Sequence, residues 1–415
     1  MTVLSTPPRV LIIGGGLGGL ALANGLARQN IGFKLFERDA TPTDRLQGFR
    51  IVLRNDPKKG PMSVDALREL LTREGFEKIY EMSGEGGAAS TTMNAQLTIQ
   101  HKMVLPGGGG ISIGRMALRD ILLEGLPSQA VYFGKKFTSY SRNGENGTIV
   151  AHFSDGSQEE GTLLVAADGG NSRIRRQFFS ELARPDPRII THVSGVVAKI
   201  PVTPGSVAEQ LIGETHLDEG MILASAPGRS FYAARLILPA ATERLEEDFA
   251  WSRHRSYIYW VLNTSAQDVA GYLASVDTPT PYDLTGAQLL THATRLLKDG
   301  GFHESILKMV EQSHPDTAVW LDFNSGERCE WASDSQVTFV GDSIHGMTPY
   351  LGAGALVAIG DGWELAKALG EAGRGEKSLR EAVEGYEGEM RNRAYPIMEG
   401  ALKRMRGLTA KPEGA

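Results

Sequence analysis

The stretch RVLIIGGGLGGLALANGLARQNIGFKLFERD, residues 9–39, decides the fold of this chain. Its first apolar run, VLII, predicts a short buried strand, after which Gly14, Gly16 and Gly19 follow at the G-x-G-x-x-G spacing as a helical pattern begins. A second apolar run, FKLF, predicts another strand and ends at Glu37. This order of strand, glycine turn, helix and strand predicts a βαβ unit in an α/β fold.

Each glycine in such a turn has its own physical reason. The first permits a tight turn, the second lets the backbone approach a pyrophosphate, and the third lets the helix pack closely on the strand. The helix N-terminus adds partial positive charge for the phosphates. The carboxylate of Glu37 follows the second strand, where it would accept a hydrogen bond from a ribose hydroxyl and disfavour a 2′-phosphate. The motif predicts a bound dinucleotide with an ADP half, which FAD and NAD share.

Composition excludes several classes of function. The chain has 415 residues, enough for a large core and two domains. Its formal net charge is -6 with Lys and Arg scattered, which argues against a nucleic-acid partner and against an anionic membrane surface. Cys329 is the single cysteine, which excludes an intramolecular disulfide and a multi-cysteine metal site, so no metal is expected. A lone cysteine also fits a reducing, cytoplasmic compartment.

The uncharged stretch 10–27 could be mistaken for a signal peptide or a membrane span. Its six glycines, Asn24 and the strand that follows argue against both. No later segment offers about 18 uninterrupted apolar residues, so we expect no integral membrane segment. Nothing in the sequence indicates a protein partner.

The rest of the chain shows two kinds of secondary-structure pattern. Strand, turn and helix patterns recur on either side of a middle region, where runs such as SGVVAKIPV, SFYAARLIL and SYIYWVLN indicate a separate sheet domain. Before that region, a helical pattern covers 63–73. The predicted boundaries are residues 1–55, 100–188 and 326–375 for a discontinuous first domain, 56–99 and 189–325 for the sheet-rich domain, and 376–415 for a C-terminal helix.

Two later motifs join the glycine turn: AADGGNSRIR at 166–175 and FVGDSIHGMTP at 339–349. Together with Arg115 at a predicted strand-to-helix junction, the three motifs resemble, in order and spacing, the fingerprints of class A flavoprotein monooxygenases, the para-hydroxybenzoate hydroxylase-like group. The resemblance covers nearly the whole chain. It implies a Rossmann-like FAD-binding domain of the GR2 type, an inserted sheet-rich substrate domain and a C-terminal helical segment. The layout is most similar to single-component enzymes that tailor secondary metabolites or modify xenobiotics.

The resemblance also assigns residues to FAD. It places the pyrophosphate at the glycine turn, the adenosine ribose at Glu37, a ribityl hydroxyl at Asp342, and the phosphates or ribityl chain near Arg115, whose planar fork suits phosphate. From the middle motif, Arg173 would help to brace the FAD and nicotinamide region. Asp342 could instead cap a turn, and Arg115 could be a surface cation. The full cofactor-binding set is Gly14, Gly16, Leu17, Gly19, Glu37, Arg38, Arg45, Gly48, Arg115, Asp168, Asp342, Gly354 and Ala355.

One position in the third motif and one shortly after it bear on the flavin environment. His345 follows the aspartate at the family spacing, and we interpret it as a structural hydrogen-bonding residue in preference to a catalytic one. Leu356 stands where the family commonly has asparagine, so an amide contact to the flavin would be missing. The resemblance implies that the helix beginning near residues 352–355 would direct its positive end at the pyrimidine edge of the flavin and stabilise an anionic reduced form.

The implied chemistry is monooxygenation. NAD(P)H would reduce FAD, O2 would form a C4a-hydroperoxyflavin, and one oxygen would pass to an electron-rich aromatic or polycyclic small molecule by hydroxylation or epoxidation. The chain has no second G-x-G-x-x-G, so NAD(P)H is expected as a transient co-substrate. The alternatives are a flavin-dependent halogenase, another FAD oxidoreductase, an NAD-dependent dehydrogenase, or a non-catalytic binding protein on this fold. The halogenase is disfavoured because none of the five tryptophans forms the W-x-W motif.

Catalytic candidates come from the predicted sheet domain. Lys199 is a charge inside an apolar strand, and Tyr232 lies on another strand that we expect to line the pocket. Either could accept a proton or a hydrogen bond from a phenol or an indole. Lys199 could instead be an edge-strand lysine that discourages aggregation. Because alternate residues of a strand face opposite sides, about half of the further candidates must face away; these are Arg235, Tyr257, Tyr259 and Trp260.

Overall fold

A computed structural model describes residues 8–44, 48–55, 63–104, 110–143, 147–250 and 252–409. The strands are β1 Val10–Ile13, β2 Phe33–Phe36, β3 Arg50–Leu53, β4 Ser83–Gly84, β5 Ala89–Asn94, β6 Ile99–Val104, β7 Ile111–Gly114, β8 Val131–Tyr132, β9 Phe137–Asn143, β10 Thr148–Phe153, β11 Gln158–Gly161, β12 Leu163–Ala166, β13 Arg188–Ile189, β14 Val193–Pro201, β15 Gly220–Ala226, β16 Arg229–Leu236, β17 Tyr257–Ser265, β18 Val319–Asp322, β19 Ser325–Gly326 and β20 Val337–Phe339.

The helices lie between these strands and at the end of the chain. They are α1 Leu17–Arg28, α2 Ser63–Leu70, α3 Arg73–Glu81, α4 Arg115–Glu124, α5 Arg173–Glu181, α6 Val207–Glu214, α7 Ala266–Ser275, α8 Gly286–Asp299, α9 Glu304–Glu311, α10 Asp342–His345, α11 Gly354–Gly373 and α12 Leu379–Thr409.

The first domain is built on a parallel sheet in the order β20-β12-β1-β2-β8. Every residue of β1 and β12 is buried, as expected for central strands covered on both faces. The predicted βαβ unit is confirmed, because β1 and β2 pair in parallel and α1 connects them. The glycine turn therefore lies at the carboxyl end of β1, next to the ends of β12 and β20. Open α/β sheets bind ligands at this edge.

The second domain is built on a sheet in the order β18-β14-β17-β16-β15-β5-β6. Its strands pair antiparallel except β15 and β5, which pair in parallel. One face, here called the back face, packs Trp260 and Phe231 against residues of α6, α8 and α9. The opposite side, here called the front face, carries Lys199, Tyr232, Tyr257 and Tyr259. This face turns toward the first domain, where Phe49 packs against it.

Packing places some segments of the chain in a different domain from the one predicted for them. Strand β6 pairs with β5, so it joins the seven-stranded sheet although most of it falls in the segment 100–188 predicted for the first domain. Helices α2 and α3 bury Leu67 and Ile79 in the core of the parallel sheet, although 56–99 was predicted for the other domain. The single helix predicted over 63–73 is two helices, because the Thr72 hydroxyl caps the start of the second.

Helix α12 connects the two domains. Tyr386, Met390 and Tyr395 are buried in the core of the first domain. Further along, Leu402 and Met405 pack with Phe323, which directly follows β18. The predicted C-terminal helix is therefore present, and it covers the junction between the domains. Across the part of the chain that the structure describes, no helix has the length and apolar character needed to cross a membrane.

Candidate active site

The turn between β1 and α1 shows why glycine stands at its motif positions. Gly14 has a φ of +117°, and a Cβ there would lie 2.2 Å from the carbonyl oxygen of Ala167. A Cβ on Gly19 would lie 2.1 Å from the carbonyl oxygen of Gly14. A Cβ on Gly16 would meet nothing within 4 Å, so the backbone there faces open space, while Leu17 begins α1 with its side chain buried. Bare backbone at a helix N-terminus is what a pyrophosphate requires.

Two side chains hold the peptide groups of Gly15 from opposite sides. Glu37 accepts hydrogen bonds from the backbone N–H of Gly15 at 2.8 Å and of Asp39 at 3.0 Å. A carboxylate has about four lone-pair sites, so Glu37 retains capacity for ribose hydroxyls. The Nε of Arg119 donates to the carbonyl oxygen of Gly15 at 3.0 Å. The neighbouring Arg38 is exposed.

Sequence reasoning missed Arg119. It is only 6% exposed, and its second donor reaches the carbonyl oxygen of Pro42 at 2.7 Å. One signal was available, because Arg119 lies three residues after Met116 and three before Leu122 on the buried side of α4. A charge at that position needs a polar partner inside the protein.

Arg115 begins α4 directly after β7, at the predicted strand-to-helix junction. It is half-buried, and its positive charge acts on Asp342, lowering the pKa of that carboxyl against the effect of burial. Gly48 is buried, and a Cβ there would lie 2.4 Å from Cγ of Met116, so glycine lets the chain before β3 pack against α4. Arg45 lies outside the described residues.

The middle motif forms the loop between β12 and α5. One carboxylate oxygen of Asp168 accepts from the backbone N–H of Arg173 at 2.8 Å, while Oδ1 is buried with no partner among the described residues. Burial raises the pKa of Asp168. The side chain of Arg173 is exposed, and Arg175 is the buried arginine instead: it pairs with Asp186 at 2.6 Å and donates to the carbonyl oxygen of Ser343 at 2.8 Å. Arg175 therefore ties the middle motif to the third.

The third motif turns at Gly341, where φ is +63°, and Asp342 then begins α10. The Asp342 side chain opens onto a cavity of about 260 Å³, whose walls include Asn171, Met347 and Pro349. Desolvation by the surrounding protein raises the pKa of Asp342, although the side chain is exposed to the cavity. A carboxylate at such a place is a candidate acceptor for a ligand hydroxyl.

Helix α11 follows with Gly354 and Ala355 as its first two residues. A Cβ on Gly354 would come 3.4 Å from Cγ of Met347, so the start of the helix packs closely on the third motif. Leu356 is fully buried in the core of the first domain. Its side chain stabilises α11 by apolar packing, a role that an asparagine would not fill.

A buried ion network lies beneath the third motif. Asp361 of α11 accepts from Nε2 of His345 at 2.5 Å, from Arg393 of α12 at 2.8 Å and from the backbone N–H of Gly341 at 2.9 Å. His345 and Asp361 are both 0% exposed. Burial opposes the charge on His345, but Asp361 outweighs it and raises the pKa of the imidazole. These contacts favour the structural interpretation of His345. No sequence motif marked Asp361.

The front face of the second sheet carries both catalytic candidates. Lys199 pairs across the strands with Tyr259, and its Nζ lies 4.8 Å from the centre of the Tyr257 ring. Burial, with a contribution from Arg253, lowers the pKa of Lys199 to about 8. The Tyr232 hydroxyl lies 3.1 Å from that of Tyr259.

The edge-strand alternative for Lys199 is wrong. Strand β14 lies between β18 and β17, and beyond the end of β18 the backbone of Lys199 bonds to Thr317 and His314. Of the further candidates, Tyr257 and Tyr259 face the first domain. Trp260 faces away, because its indole N–H donates to Ser313 at 2.8 Å within the back-face core.

Arg50 on β3 is a second functional candidate that sequence reasoning missed. It is 6% exposed and donates to the carbonyl oxygen of Gly86 at 2.7 Å. Its charge acts on the hydroxyls of Tyr232, Tyr257 and Tyr259, so it lies opposite the front face. A charge inside an apolar strand was the signal that singled out Lys199, and the same signal was available here.

A family model described as an FAD binding domain matches residues 8–269, which include the glycine turn, Glu37 and the middle motif. The chain belongs to this family. It is a class A FAD-dependent monooxygenase of the aromatic hydroxylase type, with the mixed α/β fold that the resemblance implied. The monooxygenase resembles a crystal structure from Photorhabdus luminescens subsp. laumondii TTO1, provisionally named an FAD containing monooxygenase. The TM-score is 0.76 at 26% identity, over 97% of this chain and 98% of that one.

Two curated relatives are similar along most of this monooxygenase. The dual O-methyltransferase/FAD-dependent monooxygenase elcB of Phaeosphaeria nodorum is 29% identical over 93% of this chain and 44% of its own length. A probable FAD-dependent monooxygenase of Arthroderma benhamiae is 27% identical over 95% of this chain and 90% of its own length. The monooxygenase thus spans less than half of the dual-function relative.

Replacing Asp342 with alanine should weaken FAD retention without unfolding the protein. Its side chain forms no hydrogen bond with the described residues, so its loss removes an acceptor for a ligand and costs the fold little. One hydrogen bond to a charged group is worth about 1.5–3 kcal/mol, so FAD affinity should fall by roughly 10- to 150-fold. Bound-flavin absorbance after gel filtration, with circular dichroism, measures both effects.

Arg115→Ala should also weaken FAD retention without unfolding the protein. The control is Asp299→Ala, on the exposed end of α8, which should change neither property. Unchanged flavin content in both the Asp342→Ala and the Arg115→Ala variant would contradict the assignments of Asp342 and Arg115.

Proposed function

We propose that this monooxygenase uses NAD(P)H and O2 to insert one oxygen into an electron-rich aromatic or polycyclic small molecule, by hydroxylation or epoxidation. One observation supports the proposal most. Phe49, next to the glycine at 48 that packs on α4, stacks on Tyr259 of the front face with ring centres 5.5 Å apart. The cofactor-binding domain therefore contacts the aromatic face that contains Lys199.

The described residues fit FAD. The backbone at Gly16 is open, Glu37 has unused acceptor capacity, and Asp168 has a buried oxygen without a partner in the described chain. We assign the pyrophosphate to the glycine turn, the ribose to Glu37 and the ribityl chain to Asp342 and Arg115. When bound and reduced by NAD(P)H, FAD supplies the activation of O2. The protein supplies position, electrostatics and exclusion of water.

Lys199 and Tyr232 are the proposed catalytic residues. With a pKa of about 8, Lys199 is mostly charged at neutral pH and increasingly neutral above it, so its Nζ can accept a proton from a substrate hydroxyl in weakly alkaline solution. The hydroxyl of Tyr232, linked to that of Tyr259, can donate a hydrogen bond to a substrate oxygen. The rings of Phe49, Tyr257 and Tyr259 would contact an aromatic substrate and exclude water.

The proposal predicts that NAD(P)H oxidation is slow without substrate and accelerates with the right aromatic compound. If substrate binding favours the reducible arrangement by about 1.4 kcal/mol, the acceleration is about tenfold. Purified holoenzyme should be screened with phenolic, indolic and polyketide-like compounds. Mass spectrometry under heavy-isotope O2 should show a product that has gained one labelled oxygen.

The screen also distinguishes the alternatives. A halogenated product, or a dehydrogenated one without label, would overturn the monooxygenase proposal. Fast NAD(P)H oxidation whose rate does not change when the compound is added would overturn only the proposed control by substrate. Lys199→Met should lower labelled product more than flavin content, because the side chain lies on the front face of the second sheet and not at the glycine turn.

A further inference from the structure

Arg119 is a buried cation that lies directly beside the glycine turn. Its Nε donates to the carbonyl oxygen of Gly15 at 3.0 Å, and Nη1 donates to that of Pro42 at 2.7 Å. Its guanidinium carbon also lies 5.9 Å from the centre of the Phe133 ring. Among the described residues, its hydrogen-bond partners are neutral carbonyl groups and no carboxylate pairs with it. Burying a charge in this way costs free energy that a neutral side chain would avoid.

The hydrogen bond from Arg119 fixes the direction of the peptide group between Gly15 and Gly16. This peptide is planar and trans, so its N–H, which belongs to Gly16, points opposite to its carbonyl oxygen. Since the carbonyl oxygen points toward the guanidinium, the Gly16 N–H points away from Arg119. Glu37 holds the preceding peptide through the Gly15 N–H at 2.8 Å. Both peptides of Gly15 are therefore held, although glycine by itself permits many backbone conformations.

The Gly16 N–H is directed into open space. It donates to no described residue, and a Cβ on Gly16 would meet no protein atom within 4 Å. Gly16 is also the N-cap of α1, and it offers no side chain that could accept from the N–H groups of the first turn. A phosphate oxygen is the kind of acceptor that such a set of N–H donors fits.

Helix α4 places Arg119 one turn after Arg115, and residues four apart lie on the same side of a helix. Arg119 binds the glycine turn through Gly15 and binds the segment after Glu37 through Pro42. The helix that carries Arg115 therefore also holds the two segments that surround the proposed site of the ADP half.

We propose that Arg119 is a positioning residue for FAD, which orients the Gly16 N–H toward the pyrophosphate and acts through the backbone without touching the cofactor. The inference rests on the proposed placement of the pyrophosphate at the glycine turn. Arg119 contributes in two ways. It orders the turn before FAD binds, so binding does not bear the entropy cost of ordering it. Its charge also polarises the peptide group and strengthens the Gly16 N–H as a donor.

The test separates recognition of the pyrophosphate from support of the fold. Full-length protein stripped of FAD is titrated with FAD, and quenching of flavin fluorescence reports the affinity. ADP, which keeps the pyrophosphate, and adenosine, which lacks it, then compete with FAD. In Arg119→Met, affinity for FAD should fall at least about tenfold, which corresponds to about 1.4 kcal/mol. The preference for ADP over adenosine should fall by a similar factor, because adenosine does not use the Gly16 N–H.

Two further variants sharpen the comparison. Arg119→Lys keeps the charge but loses the planar fork that reaches two carbonyl groups, so affinity for FAD and the ADP preference should fall at least about threefold. This variant decides the test if Arg119→Met does not fold, which circular dichroism shows. Arg28→Met is the matched control, because Arg28 donates to the carbonyl oxygen of Leu71 at the opposite end of α1. It should leave FAD affinity and the ADP preference unchanged.

The ADP preference is the quantity that decides. Folded Arg119→Met with the wild-type preference for ADP would overturn the inference even if it bound FAD more weakly, because Arg119 would then only support the fold. The same result in Arg119→Lys would overturn it if that variant alone folds. Gly16→Val tests the placement separately. If Gly16→Val loses FAD while the Arg119 variants keep the ADP preference, the pyrophosphate site stands and only the role of Arg119 falls; if Gly16→Val keeps FAD, the placement itself falls.

Discussion

Gly16→Val should abolish FAD retention while leaving the chain folded. Gly16 has φ of -78° and ψ of 177°, which any residue adopts, and a Cβ there would touch no protein atom within 4 Å. The fold therefore tolerates the side chain, which instead fills the space where the pyrophosphate would contact bare backbone. Losing two charge-assisted hydrogen bonds of about 1.5–3 kcal/mol each lowers FAD affinity by at least about 100-fold. Bound-flavin absorbance and circular dichroism measure the two properties separately.

Substitutions at two other glycines serve as comparisons for Gly16→Val. Gly213→Val on α6 also meets open space and should leave both flavin content and fold unchanged. Gly14→Val should destabilise the chain itself, because φ is +117° and the side chain would clash with the carbonyl oxygen of Ala167. If Gly16→Val purified with a full complement of FAD, the glycine turn would not be the pyrophosphate site.

Asp361→Asn should destabilise the fold by about 3–5 kcal/mol, the usual effect of removing one partner from a buried ion pair. The substitution leaves His345 and Arg393 without their carboxylate and weakens the contact to the Gly341 N–H. Since Gly341 lies in the third motif directly before Asp342, FAD retention should fall as well. Chemical denaturation of the holoenzyme and of protein stripped of FAD measures the free energy of unfolding in each state.

The loss of folding stability caused by Asp361→Asn should depend on pH. The pKa of His345 is raised in the folded state, so its charged form stabilises the fold below the unfolded pKa, and that contribution is lost as pH rises through the folded pKa. The difference between wild type and variant should therefore shrink in alkaline solution. As a control, Glu376→Gln breaks the exposed pair with Arg374 and should leave the unfolding midpoint unchanged. Equal stability of Asp361→Asn and wild type would show that the buried network contributes nothing.

Local physical chemistry explains what the sequence predicted well. A positive φ and a close backbone contact restrict a position to glycine wherever the rest of the chain goes, so Gly14 was recognisable from spacing alone. The same holds for the strand, turn and helix order around it. A charge in an apolar strand also stands out locally, which is why Lys199 was identified before its surroundings were known.

By itself, then, the sequence determined the fold class, the cofactor family and the positions of the three motifs, because each depends on neighbours along the chain. Only the tertiary structure decided which arginine is buried, since it brings Asp186 and the carbonyl oxygen of Ser343 to Arg175 and leaves the side chain of Arg173 exposed. It also decided which face of the second sheet meets the first domain. Alternation along a strand places Tyr259 and Trp260 on opposite faces of the sheet, but it does not tell which of the two faces the first domain covers. Burial and charge pairing depend on elements far apart in sequence, so they became visible only when those elements packed together.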